Sequence, residues 1–338
     1  MVRETGGGRV EAVAPGAQRR TELIHGHHAA TARPDEPGTA CPRIIRSSRD
    51  HFPGGSIGPM NNDVLKLADD LVLTRMGYGA MQLAGPNAFG PPRDRAEAVR
   101  VLRTAVELGI THIDTCDYYG PAETNKIIKE ALFPYADQLR IVTKIGFRRG
   151  AGGSWDPSPH NLREQVQDNL THLGLDSLDA VNLRVEGPGS IAERFAELAE
   201  MRGEGLVRHL GLSNVTAEQI AEARGIAPVV FVQNLYNIVL RDDDALIDEL
   251  AADGIGFVPF FPLGGFNPVQ SGVLAEVAAQ VGASVQQTAL AWLLRRSPNI
   301  LLIPGTSSVA HLRANVAAAD VELSDEHFAR LNGLTAVD

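Results

Sequence analysis

The stretch His112-Ile113-Asp114-Thr115-Cys116-Asp117-Tyr118-Tyr119-Gly120, followed at some distance by Ile141-Val142-Thr143-Lys144, decides how the chain is read. Short β-branched runs at 112–115 and 141–145 are expected as adjacent strands, which sets an acid, a phenol and an amine at neighbouring strand ends. A phenol ionises near ~10 and is a poor acid at neutral pH. An ammonium beside it stabilises the phenolate, and a buried carboxylate holds that ammonium in place. Asp114, Tyr119 and Lys144 suit those three roles and together predict a tuned proton donor.

Outward from this stretch, from about Val72 onward, short apolar runs alternate with amphipathic stretches, the sign of repeated βα units. Eight strands are expected, at 74–81, 112–115, 141–145, 178–185, 207–213, 229–235, 256–262 and 300–304. Helical spacing near 3.6 marks 96–108, 161–173, 192–201 and 245–252. The seventh unit carries an extra helix, since 273–281 and 284–296 follow one another without a strand. A closing helix is expected at 324–334 with Ser324 as N-cap, and 64–67 with 71–73 as a hairpin over the barrel floor. Right-handed crossovers of this kind give a parallel sheet.

A doubly wound open sheet would show a Gly-rich fingerprint in its first βα turn. The nearest match, Gly77-Tyr-Gly79-Ala-Met81-Gln, lacks the third glycine and opens no helix. The expected architecture is therefore a single-domain (β/α)8 TIM barrel spanning 60–338, with its active site at the carboxyl ends of the strands.

Residues 1–59 are rich in Gly, Pro, Arg, His and Thr with hardly any apolar periodicity, and read as a disordered extension. Met60 opens directly into ordered-looking sequence, which suggests that the extension is a start-site artefact. The group His25-Gly-His27-His28 has no scaffold or further ligands around it, so no metal site is expected. Of 338 residues 44% are hydrophobic, and no apolar run approaches the ~20 residues needed to cross a bilayer. A formal net charge of −10 without Lys/Arg clusters argues against nucleic acid or anionic lipid as partner. Two cysteines, Cys41 and Cys116, do not build a disulfide framework, and a reducing cytoplasm is expected. Oligomeric state is left open.

Asp114, Lys144, Arg184, Ser213, Asn214, Gln233, Phe260 and Gly305 all fall at or near expected strand ends and would converge on one mouth. Singly, each has a plainer reading: Asp114 as a helix cap, Lys144 as a strand-end charge, Tyr119 as core packing. Three at compatible strand ends favour chemistry.

With these motifs in place the chain resembles the aldo-keto reductases, from about Leu71 to Leu334. The family's Asp-Thr-Ala-x-x-Tyr-Gly appears as Asp114-Thr-Cys-Asp-Tyr-Tyr119-Gly120. Further motifs follow in order: Thr143-Lys144, Leu173-Gly-Leu-Asp, Gly211-Leu-Ser213-Asn214, Val232-Gln233-Asn-Leu-Tyr236-Asn237, Pro262-Leu263-Gly and Ile303-Pro-Gly305-Thr306-Ser307-Ser308. The resemblance implies reversible hydride transfer between NADP(H) and a small-molecule carbonyl, with Tyr119 as general acid in reduction and Lys144 and Asp114 tuning it. It also implies that Ser213, Asn214 and Gln233 bond the carboxamide and that Phe260 stacks on the nicotinamide. Gly79, Met81, Pro262 and Leu263 complete the cofactor cleft. Gly305, Thr306 and Ser307 precede a helix N-terminus suited to a phosphate, with His311 and Asn315 facing the same end. Asn214 alternatively caps the next helix, Phe260 alternatively packs without touching cofactor, and His311 alternatively lies on a solvated helix face.

Two departures stand out. Relatives often place a lysine or arginine against the 2′-phosphate, where this chain has Gly305 and His311 with Arg313 nearby. Arg184 falls at the family's active-site histidine position. A guanidinium stays protonated and cannot serve as acid or base, so Arg184 is expected to orient a polar or anionic substrate, unless it simply pairs with a carboxylate. Val181-Asn-Leu-Arg184 together with 303–315 resembles a bacterial subgroup associated with reduction of pyridoxal to pyridoxine. The alternative is a nucleotide-binding regulatory subunit of the same fold with little turnover, like the potassium-channel β subunits, which also lack the histidine.

Overall fold

The computed structural model describes residues 63–149, 155–156, 161–265 and 271–334. The extension 1–59, Met60, the His25 to His28 group and most of the 146–159 loop lie outside the described residues. The chain opens with an antiparallel hairpin, β1 (Val64–Ala68) and β2 (Leu71–Thr74). The parallel elements follow: β3 (Tyr78–Gly79), α1 (Arg95–Glu107), β4 (His112–Asp114), α2 (Glu123–Leu132) and β5 (Arg140–Ile145). A two-residue pair, β6 (Arg148–Arg149) and β7 (Trp155–Asp156), precedes α3 (Leu162–Leu173) and β8 (Leu178–Arg184). Then come α4 (Ala192–Gly203), β9 (Val207–Ser213), α5 (Ala217–Arg224), β10 (Val229–Gln233), α6 (Asp244–Ala252) and β11 (Gly256–Phe257). The C-terminal part holds α7 (Gly272–Val281), α8 (Val285–Arg296), α9 (Val309–Val316) and α10 (Asp325–Asn332).

Seven strands pair in the order β11-β10-β9-β8-β5-β4-β3, every pair parallel. The eighth expected strand, 300–304, joins both free edges through single parallel bridges, Phe257 to Ile300 on one side and Met76 to Leu302 and Gly79 to Gly305 on the other. Leu301 N donates to Phe257 O at 2.9 Å and Gly77 N to Leu302 O at 2.7 Å, so the sheet closes as a (β/α)8 barrel. The seam is tight: a Cβ on Gly79 would lie 2.4 Å from the Ile303 carbonyl oxygen. Only glycine admits that approach.

The expected first strand, 74–81, is divided in the structure. Thr74 ends the hairpin strand β2, Tyr78–Gly79 is all that pairs with β4, and Ala80–Leu83 turns into a 3-10 helix. The hairpin exists as expected, and its Leu65, Leu71 and Leu73 pack with Val142, Ala180, Phe231, Val258 and Leu301 of the barrel lining. Covering that apolar interior from one end explains why 71–74 pairs with β1 rather than running on into the barrel. The extra helix is α8, whose Ser284–Gln287 capping box fixes its start, and Ser324 accepts from His327 N at the head of α10. Among the described residues no helix is long and apolar enough to cross a membrane.

Arg75 staples the seam. Its buried guanidinium donates to the carbonyls of Ile300 (3.1 Å), Leu294 (2.6 Å) and Ser297 (2.7 Å), joining the start of the barrel to the end of α8 and the eighth segment. Burial pushes its pKa down to about 10, with Asp63 opposing, so it remains a cation at neutral pH. Arg75→Met should lower the free energy of unfolding by roughly 2–4 kcal/mol, because three buried acceptors lose a charged donor. Urea denaturation followed by circular dichroism reads this; an unchanged midpoint would contradict the staple.

Candidate active site

The strand ends bring the trio together. Lys144, on β5, donates from Nζ to Asp114 Oδ1 at 2.5 Å and to the Thr115 carbonyl at 3.1 Å. Both side chains of the pair are only 4% exposed. The Lys144 Nζ lies 5.3 Å from the centroid of the buried Tyr119 ring. Asp114, Tyr119, Lys144 and Arg184 line a common cavity of about 600 Å³ at the carboxyl ends of the strands.

Burial pushes the Tyr119 phenol up to about 12, while Lys144 pulls the other way. The lowering expected from the ammonium is present, but desolvation outweighs it because the ring is enclosed. The phenol is therefore neutral at working pH and holds the proton a reduction needs. Burial alone would lower the Lys144 pKa, but Asp114 and Tyr119 more than offset this and keep the amine protonated. His112, deeper on β4, is driven by burial down to about 4 and stays neutral.

Arg184 ends β8 half-buried, with its guanidinium 5.3 Å from the Phe147 ring centroid and 5.6 Å from that of Phe260. None of the ion pairs among the described residues involves it. Its charge bears on Tyr118, where it opposes the rise that burial causes in the phenol's pKa.

The remaining expected residues divide into three groups. Gly79, Met81, Gln233, Phe260, Pro262, Leu263 and Gly305 line the cavity with the trio. Ser213 is fully buried between Arg184 and Gln233 in the strand register, and its Oγ has no partner; neither has Gln233 Oε1. A buried hydroxyl and a buried amide oxygen left unpaired suit a carboxamide that brings its own donor and acceptor. The residues present thus fit a nicotinamide. Gln233 Nε2, however, donates to Asp114 Oδ2 at 3.0 Å, which ties this residue to the ion pair as well. Asn214 adopts φ +61° and donates from Nδ2 to the Val185 carbonyl at 2.8 Å. It does not cap α5, a role that Thr216 fills in a capping box.

Thr306, Ser307, His311 and Asn315 stand apart from the trio, at the α9 end of the cleft. Ser307 lines an adjoining cavity of about 350 Å³ together with Met81 and Gln82, two residues that also line the main one. His311 is exposed, whereas Thr306 and Asn315 are buried. The first N–H of α9 is already bonded: Val309 N donates to Glu97 Oε1 at 3.2 Å.

Two features escaped the sequence reading. Tyr118 lines the cavity edge-on to Tyr119, with ring centroids 5.1 Å apart. Behind the strand ends, Asn169 Oδ1 accepts from Thr143 Oγ1 (2.6 Å) and Asn125 Nδ2 (2.9 Å), and Asn125 Oδ1 accepts from Thr115 Oγ1 (2.8 Å). This buried net ties β4 and β5 to α2 and α3 next to Asp114 and Lys144. The available signal was an asparagine among the aliphatic residues on the inward face of each helix.

The model of the aldo/keto reductase family matches residues 75–268 and 269–336. The chain is 62% identical over 272 residues to pyridoxine 4-dehydrogenase of Escherichia coli (strain K12), covering 78% of this chain and 95% of that protein. It is also similar to the crystal structure of a thermostable aldo-keto reductase solved with the inhibitor epalrestat, with a TM-score of 0.68 and 29% identity over 78% of this chain and 96% of the other. An aldo/keto reductase from Klebsiella pneumoniae, solved with NADP and acetate, matches with a TM-score of 0.65 and 24% identity over 77% and 91% of the two chains.

Asp114→Asn would strand the buried Lys144 charge. The expected cost is about 3–5 kcal/mol of stability, the range for breaking one side of a buried pair. Chemical denaturation checks this, and a loss under ~1 kcal/mol, the scale of an exposed pair, would show that the pair is not effectively buried.

Proposed function

The chain belongs to the aldo/keto reductase family, and from that premise we propose that it reduces the formyl group of pyridoxal to the alcohol of pyridoxine with NADPH. The observation that supports the reading best is a single cavity lined by a neutral buried phenol, the Lys144–Asp114 pair and the unpaired guanidinium of Arg184. Similarity to a pyridoxine 4-dehydrogenase favours this substrate among carbonyl compounds.

NADPH, when bound, supplies the hydride. Ser213 Oγ and Gln233 Oε1 would hold its carboxamide, with Asn214 behind them and the face of Phe260 available for stacking. Gly79, Met81, Pro262, Leu263 and Gly305 would shape the cleft. Thr306, Ser307, His311 and Asn315 would meet the adenosine end. As the formyl carbon accepts the hydride, the carbonyl π electrons move to oxygen, which takes the proton from the Tyr119 hydroxyl. The Lys144 ammonium stabilises the phenolate left behind until solvent returns a proton. The reverse sequence oxidises the alcohol, and the cofactor ratio sets the direction.

NADPH consumption, followed by absorbance over a small panel of aldehydes, tests the reading. Pyridoxal should be preferred, and Tyr119→Phe should lose roughly 10²–10⁴ in turnover, the usual contribution of a positioned acid. Binding of NADPH without turnover of any aldehyde would instead point to a regulatory, nucleotide-binding role.

A further inference from the structure

Arg184 is a fixed positive charge with no counter-ion among the described residues. The Lys144 and Asp114 charges cancel within their own pair, and Tyr119 is neutral. Among the described residues, Arg184 therefore contributes one uncompensated positive charge to the cavity wall. Its neighbours hold it by their aromatic faces: Phe147 and Phe260 pack against the guanidinium and supply no hydrogen-bond acceptor. Its Nε is buried and unpartnered. A guanidinium cannot relieve this by losing a proton. Its donors call for an anionic oxygen brought by whatever occupies the cavity.

The position along the strand says where that oxygen sits. Lys144 pairs in register with Asn182, and Arg184 lies two residues further toward the mouth of β8. Tyr118, on which the Arg184 charge bears, packs edge-on against Tyr119. The guanidinium and the proton donor thus flank one small region of the cavity, with Tyr118, Phe260 and Phe261 offering flat walls. One guanidinium with its Nε enclosed suits a single oxygen better than a phosphate, which needs several donors.

We propose that Arg184 makes this site a reductase of aromatic aldehydes bearing an ionised hydroxyl ortho to the formyl group, by holding that oxyanion while Tyr119 protonates the carbonyl oxygen. The proposal rests on the reductase reading above. It assigns Arg184 a second consequence besides selection. An ortho phenolate donates charge by resonance into the formyl group and makes it a poorer hydride acceptor. A guanidinium bonded to the phenolate keeps the charge on that oxygen and restores the electrophilicity of the carbon. The hydroxyl is not consumed: hydride adds to the formyl carbon, the Tyr119 proton to the carbonyl oxygen, and the oxyanion leaves with the product alcohol.

The test is a kcat/KM series at a pH where phenols are ionised, with NADPH and four probes: salicylaldehyde, 3-hydroxybenzaldehyde, 2-methoxybenzaldehyde and 2-carboxybenzaldehyde. Wild type should favour salicylaldehyde over each of the others by about tenfold or more, the effect of one charged hydrogen bond. Arg184→Met should bring the ratio of salicylaldehyde to 2-methoxybenzaldehyde close to one, mainly through kcat. Arg184→Lys, which keeps charge without the planar fork, should recover part of it. NADPH binding by fluorescence reports that each variant is folded. If wild type reduces pyridoxal but shows no ortho preference, or takes 2-carboxybenzaldehyde equally well, the proposal fails while the reductase reading stands. A preference that survives Arg184→Met also overturns it. Absence of turnover on every aldehyde would sink both.

Discussion

The buried ion pair between Lys144 and Asp114 is the constraint around which the functional half of the molecule is arranged. Two charges taken out of water are stable only when each is fully answered, and here the partners come from different strands. Lys144 from β5 reaches Asp114 and the Thr115 carbonyl of the neighbouring strand end, and Gln233 from β10 answers the second carboxylate oxygen across the barrel mouth. The asparagine and threonine net behind β4 and β5 holds the backbones that carry the pair. Fixed in this way, the ammonium faces Tyr119 and can receive the charge that appears when the phenol gives up its proton.

Barrel closure supplies the rest of the geometry. The eighth segment touches both edges by only a few bridges, and Gly79 and Arg75 are the residues that let it lie so close and keep it there. That seam places Gly79 and Gly305 in the wall of the cavity that Asp114, Tyr119 and Lys144 also line. A cofactor bound there would cross the seam, which links stability of the closure to stability of the site.

The trio was legible because its chemistry is local: Asp114 and Tyr119 share one turn and Lys144 sits one strand over. A central strand such as Val229–Gln233 was legible too, since four of its five residues are apolar and nearly all are buried, so that it reads as an apolar run. The first strand was not, because its apolar residues serve two partners, the hairpin and the barrel, and composition does not say where one ends. Arg184 was recognised as a departure, but its aromatic neighbours, one from the loop following β11 and one from beyond β5, are set by tertiary packing. The same holds for Glu97, whose contact with Val309 joins α1 to α9. Sequence distance hid these contacts, while chemistry at each strand end did not.

The central claim is that Tyr119, neutral through burial and poised beside Lys144, moves the proton. The most direct measurement is the pH profile of kcat/KM in both directions on wild-type protein, using a benzyl alcohol and its aldehyde, neither of which titrates. Oxidation by NADP⁺ requires the phenolate and should rise by about tenfold per pH unit between roughly 6 and 8. Reduction by NADPH requires the phenol and should stay flat across that interval. An oxidation rate that is flat there, or that levels off near neutrality, would identify another group as the base and contradict the account.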